Sequence, residues 1–234
     1  TNPLRDVRVR RALSIAINRA AIADRVMGGQ AVPTAQWLPP GAFGYDPETP
    51  APAFDPEGAR KLLAEALPQG LRVTLYAPND RYPNDSQTAQ AVAQFWSRVG
   101  VATQVEAIPW SSFSGRAGRN EFGIHLIGWG STTGEASSLL TATLATRNRE
   151  LRLGGLNAAG HSDPVLDALL MQGMATLDDA KREAVWHQAV RRVADQVSQL
   201  ALHQLTNTWI SRKAVSYEAR ADERTWAHRV FPAN

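Results

Sequence analysis

Between Leu71 and Trp129 the chain switches repeatedly between two hydrophobic periodicities, and this alternation constrains the fold more than any other feature. "LRVTLYAP" reads as a strand with Leu71, Val73 and Leu75 on one face. "DSQTAQAVAQFWSRVG" reads as a helix capped by Asp85 or Ser86 and ended by Gly100. "VATQVEAIP" alternates again, and a short helix begins near Ser111 and ends at Gly115 or Gly118. "FGIHLIGW" is a third strand, apolar enough for burial on both faces. Strand, helix, strand, helix, strand predicts an α/β domain with a partly parallel sheet, since parallel neighbours need a crossover between them.

The flanks add helices and one unusual loop. Asp6 is a candidate N-cap for a helix reaching about Met27, with Val9, Ala12, Leu13, Ala16 and Ile22 at helical spacing and Gly28-Gly29 as its stop. From Ala31 to Ala53 proline and glycine are too dense for a helix interior or a central strand, so a long surface loop is expected, of the kind that is functional or mobile. In "FDPEGARKLLAEAL", Asp55 caps, Pro56 opens the first turn and Glu57 suits the positive helix end. Two further helices follow: "SDPVLDALLMQGMAT", capped by Ser162 or Asp163, and "LDDAKREAVWHQAVRRVADQ". "SQLALHQLTNTWISRK" returns to strand-like alternation, and the last residues have weak periodicity suited to a path across the surface.

Composition removes several chemistries. With no cysteine there is no disulfide, zinc-thiolate site or cysteine nucleophile. The net charge is only +3, and Arg8, Arg10, Arg11 and Arg19 recur on helix faces without a groove-reading motif, so no nucleic-acid partner is expected. No apolar run approaches the roughly 20 residues that span a bilayer. The opening "TNPLRDVRVRRAL" has neither an initiator Met nor the apolar core of a signal peptide, and reads as part of something longer. Of the histidines, 125, 161, 187, 203 and 228, none forms a metal-ligand pair, and no metal or cofactor is expected. "GWGSTTG" lacks the serine-hydrolase elbow, the phosphate-loop Lys and the dinucleotide spacing. A hydrolase-type enzyme using His125, Glu135 or His203 is the alternative from another functional class.

The stretch "GIHLIGWGSTTGEASSLL" carries the functional question. An apolar strand ends in Trp129 between two glycines, followed by Ser131, Thr132 and Thr133. A plain strand-to-helix turn with Trp129 in the core is one reading. The other is a small-molecule site. Ligands dock at strand carboxyl ends in α/β sheets, and an indole beside small hydroxyl groups suits a pre-formed pocket. On that reading Gly128 and Gly130 let the backbone bend, Trp129 gives a flat wall, and Ser131 and Thr132 give neutral hydrogen bonds.

Several segments, in order, resemble one family. "NPLRDVRVRRALSIAINRAAIADRVMGGQAVPTAQWLPP", "YDPETPAPAFDPEGARKLLAEAL", "AQAVAQFWSRVGVATQVEAIPWSSF", "FGIHLIGWG", "NAAGHSDPVLDALLMQGMATLDDAKREAVWHQAVRRVADQ" and "LALHQLTNTWISRK" resemble the second lobe of the family 5 extracellular solute-binding proteins of ABC transporters. The resemblance implies an α/β, periplasmic-binding-protein-like lobe (type II, cluster C) with a mixed sheet flanked by helices. It implies that residues 1–205 form a C-terminal ligand-binding lobe and that 206–234 form a closing strand and tail returning toward an N-terminal lobe that precedes Thr1. It further implies a peptide or other small polar solute held between two lobes, ABC permease subunits as partners, and a periplasmic or extracellular place, either free or as a lipoprotein anchored through a segment outside this chain. Its site positions fall on Trp129, Gly130, Ser131, Thr132, Glu135, Asn157, Arg116 and Gln204, and the segment around Trp37 and Tyr45 is expected either to rim the cleft or to contact the other lobe. Peptide-binding members carry an Asp three residues after the Trp to pair with the peptide amino terminus. Here that position is the neutral Thr132. A buried ammonium without a charge partner is costly, so the resemblance implies a solute-binding protein without fixing peptide as its ligand.

Overall fold

The computed structural model describes residues 2–131, 133–220 and 222–233. Its organising element is a three-stranded parallel sheet in which β2 (Leu71–Pro78) lies between β3 (Val101–Ile108) and β4 (Ile124–His125). The register runs from Leu71 opposite Val101 to Pro78 opposite Ile108, and Leu75 and Tyr76 face Ile124 and His125. Two crossovers join these strands, through α3 (Asp85–Arg98) and α4 (Trp110–Gly118). The first steps from β2 to β3 and the second from β3 back past β2 to β4, so they run in opposite directions along the sheet, and the usual right-handedness of such connections places the two helices on opposite faces.

On one face, Leu71, Leu75 and Ala77 join Ala89, Val92 and Trp96 of α3, together with α1 (Val7–Ile15) and α2 (Pro56–Ala66), in a first hydrophobic core. The Trp96 indole N–H donates to the Leu13 carbonyl at 2.9 Å, so this large ring is buried without a lost hydrogen bond. On the other face, Tyr76 stacks on Phe122 with centroids 4.3 Å apart, and Phe113 of α4 packs on the same ring.

A second core is built without a sheet. Leu38, Leu139, Leu140 and Leu144 meet Leu166 and Leu170 of α5 (Pro164–Ala175) and Trp186, Ala189 and Val193 of α6 (Asp179–Gln196). Gly173 lets these helices close: a methyl group there would sit 2.5 Å from the Trp186 ring. Asp163 caps α5 and also holds Arg192 of α6 at 2.7 Å.

Local departures from the sequence reading have identifiable causes. The first helix stops at Ile15, and Asn18 starts a new turn, its side chain accepting from the Ala21 N–H at 2.9 Å; a π turn over Ile22–Val26 then reaches Met27. Asp85 does not cap α3 from outside. It is the first helical residue, and its carboxylate folds back onto the Arg81 and Tyr82 N–H groups. The proline-rich segment is neither wholly loop nor loosely held. Ala31–Pro33 forms β1, antiparallel to β5 (His203–Leu205), and Gln36, Leu38 and Asp46 are buried. Asp46 has no exposed surface and receives Arg191 at 2.7 Å. Parallel and antiparallel pairing are therefore both present but in separate ladders, the last being β6 (Val215–Tyr217) with β7 (Val230–Pro232). The third strand is two residues long instead of eight. The next β2 position that would donate toward β4 is Pro78, which has no N–H.

Candidate functional site

The site grows from the carboxyl ends of β2 and β4. Leu126 makes the last ladder contact, its N–H donating to the Tyr76 carbonyl at 2.8 Å. The chain then passes beneath Tyr82, whose hydroxyl donates to the Gly128 carbonyl at 3.2 Å. A methyl group on Gly128 would lie 2.8 Å from the Tyr82 ring. Close approach to that ring, and not a left-handed bend, is what calls for glycine here; the positive φ of this turn belongs to Gly134, at 69°. Tyr82 is itself fixed, because the buried Asp85 carboxylate accepts its N–H at 3.1 Å and Trp110 meets its ring edge-on at 6.2 Å.

Beyond Gly128, Trp129 lies half-buried against the second core. Its indole N–H is shut away from solvent and finds no acceptor among the described residues, and the same holds for Trp37. The Ser131 hydroxyl accepts from the Gly134 N–H at 3.0 Å and so closes the turn. Phe43 stitches this turn to the proline-rich segment: its N–H donates to the Gly134 carbonyl at 3.0 Å, and its carbonyl accepts from Ala136 at 3.1 Å.

A groove of about 1660 Å³ runs between the two cores past this turn. Trp129, Gly130, Ser131 and Gln204 are on its wall, so four of the residues expected from sequence come together. Gln204 also donates to the Leu38 carbonyl. Thr132 lies outside the described residues. The other three stand elsewhere and have structural partners. Glu135 accepts the Trp186 indole N–H at 2.9 Å, with Arg182 at 3.9 Å. Asn157 is buried and closes its own turn, bonding the His161 N–H at 2.9 Å and the Ala145 carbonyl at 3.0 Å. Arg116 bridges Glu106 at 2.6 Å and Glu121 at 2.9 Å, stacked over Phe122 and Tyr76 on the sheet's far face.

Residues that sequence reasoning missed also reach the groove. Tyr82 is one, from "NDRYPND" at the end of β2; the rule that put Trp129 at a strand's carboxyl end applied equally there. Arg220, Asp222 and Glu223 arrive from the tail, which has no periodicity to flag them. His125 and His203 are on the wall as well, and burial lowers the pKa of each from its ordinary 6.5, favouring neutral imidazoles. Glu135 is engaged with Trp186, and no hydrogen bond links it to either histidine among the described residues. The three do not form a general-base array.

Comparison with known proteins agrees with this architecture. The family model for bacterial extracellular solute-binding proteins, family 5, matches residues 1–150, well over half of the chain. The chain belongs to this family. Among its relatives is the probable di/tripeptide-binding protein 5 of Pseudomonas aeruginosa, 30% identical over 214 residues, covering 91% of this chain and 40% of that protein. The dipeptide-binding protein of Pseudoalteromonas sp. SM9913, solved in complex with Met-Leu, superposes with a TM-score of 0.79 at 25% identity, covering 88% of this chain and 41% of that one. MoaA of A. tumefaciens R10, solved in complex with mannopinic acid, shares the fold at a TM-score of 0.82 and 20% identity, covering 100% of this chain and 48% of that one. This family 5 chain thus spans about two-fifths of the length of the relatives it matches, and those relatives are named as binding proteins, not enzymes. Among the described residues no helix is long and apolar enough to cross a membrane.

Proposed function

We propose that the chain is the C-terminal ligand-binding lobe of an ABC importer's receptor, which captures a small polar or peptide-like solute for delivery to permease subunits. Residues 1–205 form the lobe on this reading, and 206–234 lead back toward an N-terminal lobe of the same polypeptide. The receptor works outside the inner membrane, in the periplasm or held at the cell surface by a lipid. The observation that carries the reading is the groove at the diverging carboxyl ends of β2 and β4, walled by Trp129, Gly130 and Ser131. One lobe supplies one wall. Its affinity alone should be weak, because half the contacts and the exclusion of water on closure are absent.

A thermal-shift screen of the full-length receptor tests this against a panel of peptides, amino-acid derivatives, opines, sugars and metal chelates. A ligand that binds the folded state raises the melting temperature in proportion to the logarithm of its concentration. No shift with any panel member, or equal affinity for the lobe and the full receptor, would sink the two-lobed reading.

A further inference from the structure

The solvent-facing side of α5 carries no charge. Val165, Ala168, Met171, Gln172, Met174 and Ala175 are exposed there, Val165 at 53% and the two methionines at 44%. The one ionisable residue of this helix, Asp167, is taken up by the Thr146 N–H at 2.9 Å. Leu177 follows, 92% exposed. A surface helix ordinarily puts charges on its outer side, as α6 does with Asp179, Lys181, Arg191 and Asp195. A run of exposed apolar side chains in their place marks a surface that meets another one.

The two ends of this face carry complementary charges. The Thr146 hydroxyl lies 3.0 Å from that of Ser162, which together with the Asp167 bond sets the following residues beside the N-terminal half of α5. There Asn148 and Leu153 exchange N–H···O bonds at 3.0 and 2.9 Å, and the Asn148 side chain accepts the Leu151 N–H at 3.0 Å. Gly154 holds the base of this turn tightly: a methyl group there would lie 2.5 Å from the Ala145 carbonyl oxygen. The turn carries Arg149, Glu150, Leu151 and Arg152 into solvent, and its three charged side chains have no partner among the described residues. At the C-terminal end of α5, Asp179 is held by Arg182 at 2.9 Å, while Asp178 and Lys181 are exposed and in no ion pair among the described residues.

Such a face is complementary to itself. Two α5 helices crossing antiparallel at Met171 put Val165 of one copy at the level of Leu177 in the other, and Ala168 at the level of Met174. The turn with Arg149, Glu150 and Arg152 then approaches Asp178 and Lys181 of the other copy, as an isologous contact requires. Val165, Met171, Met174 and Leu177 are absent from the groove wall, so a second lobe closing over the groove leaves them outside. A lipid surface would call for cations along the helix, and α5 has none.

We propose that the outer face of α5 is a self-association surface, pairing two copies of this chain antiparallel about a two-fold axis at Met171. A face about 18 Å long and about 10 Å wide falls well short of the roughly 800 Å² per partner of a standard interface, so the dimer is weak and reversible. This goes beyond the solute reading, and its test needs no solute.

Sedimentation equilibrium of the full-length polypeptide, from about 5 to about 500 µM, should show monomer giving way to dimer. Met171→Glu and Met171→Lys, at an exposed position that should leave the melting temperature unchanged, should each weaken the dimer tenfold or more. Mixed one to one they should restore it, because opposite charges then meet across the axis. Arg149→Glu with Arg152→Glu should weaken the dimer severalfold at low salt and little at high salt. A polypeptide that stays monomeric throughout overturns the proposal, whether hydrogen exchange finds residues 165–175 covered by another part of the chain or anionic vesicles bind the face instead. A dimer indifferent to both Met171 variants, or a mixture no tighter than either variant alone, overturns it too. No effect from the arginine pair overturns the antiparallel arrangement.

Discussion

The two cores of this lobe solve the same problem with different means. The first is a sheet core: alternating side chains of β2 and β3 meet helices whose apolar faces repeat at helical spacing, and the polar groups it needs are mostly backbone. The second has no sheet, and its loops are fastened to α6 by side-chain hydrogen bonds and ion pairs. Asp46 takes Arg191, Asp163 takes Arg192, and Glu135 takes the Trp186 indole. A core assembled from loops leaves more backbone and side-chain polar groups to satisfy, and buried acids and amides do that work. The groove lies where the two kinds of core meet.

The largest expected effect breaks the second core at its centre. Trp186 has no exposed surface and is contacted closely at Gly44 and Gly173. Trp186→Ala should cost about 3–5 kcal/mol of stability, as large buried aromatics do on truncation. Urea denaturation of the isolated lobe measures it. A loss below about 1 kcal/mol would mean that the second core does not depend on this ring.

That contrast also explains how much was legible in the sequence. The sheet core announced itself: Leu71, Val73 and Leu75 alternate, Asp55-Pro56 starts a helix, and the crossovers follow. The third strand was overread because Pro78, the residue that ends its pairing, stands on a different strand some fifty positions earlier. Glu135 and Asn157 entered the candidate site through the family resemblance, but a sequence does not show whether a carboxylate faces a ligand or a buried indole. Tyr82 was within reach of the same strand-end rule as Trp129, whereas Glu223 reaches the groove through tertiary contacts alone.

Next in size is the contrast between two tryptophans. Trp129 is half-buried on the groove wall, so Trp129→Ala in the full receptor should remove affinity on the order of 1–3 kcal/mol while costing the fold less than Trp186→Ala does. Calorimetry and denaturation on the same variant check both halves. A stability loss equal to that of Trp186→Ala, with affinity intact, would move Trp129 from the wall into the core.

Acid should affect stability in two stages. His125, His161 and His203 are half-buried, and desolvation lowers the pKa of each below 6.5, so as pH falls through that value the unfolded chain takes up protons that the folded lobe refuses. Stability therefore falls as pH drops below about 6.5, and the fall levels off once the folded-state values are passed. Asp46 and Asp163 act at lower pH. Burial would raise Asp163, but the Arg192 guanidinium and the α5 N–H groups outweigh it; the Arg191 hydrogen bond holds Asp46 down. Their contribution is complete above the ordinary value of 3.8 and is lost as pH falls through the depressed folded values. Melting curves from pH 8 to pH 3 follow the first stage and the onset of the second. A His125→Phe, His203→Phe double variant should shrink the first stage to the share of His161 and leave the second alone, and an unchanged profile would show that these two imidazoles remain protonatable in the fold.

The smallest expected effect is at Arg116. The family resemblance put it among the ligand candidates, yet it sits on the far face of the sheet core, bridging Glu106 and Glu121 over the ring of Phe122. No path in the groove reaches it, and its charge is already shared by two carboxylates. Arg116→Gln should leave solute affinity in the full receptor within about twofold of the parent, because a side chain outside the interface contributes only indirectly. It should still loosen the α4 side of the sheet, since Glu106 and Glu121 lose their common cation and the aromatic pair loses its cover. Hydrogen exchange at residues 119–124 reads that loosening separately from binding. If affinity falls tenfold while exchange there stays as it was, Arg116 reaches the solute in the closed receptor, and the groove extends around the edge of β4 to the opposite face.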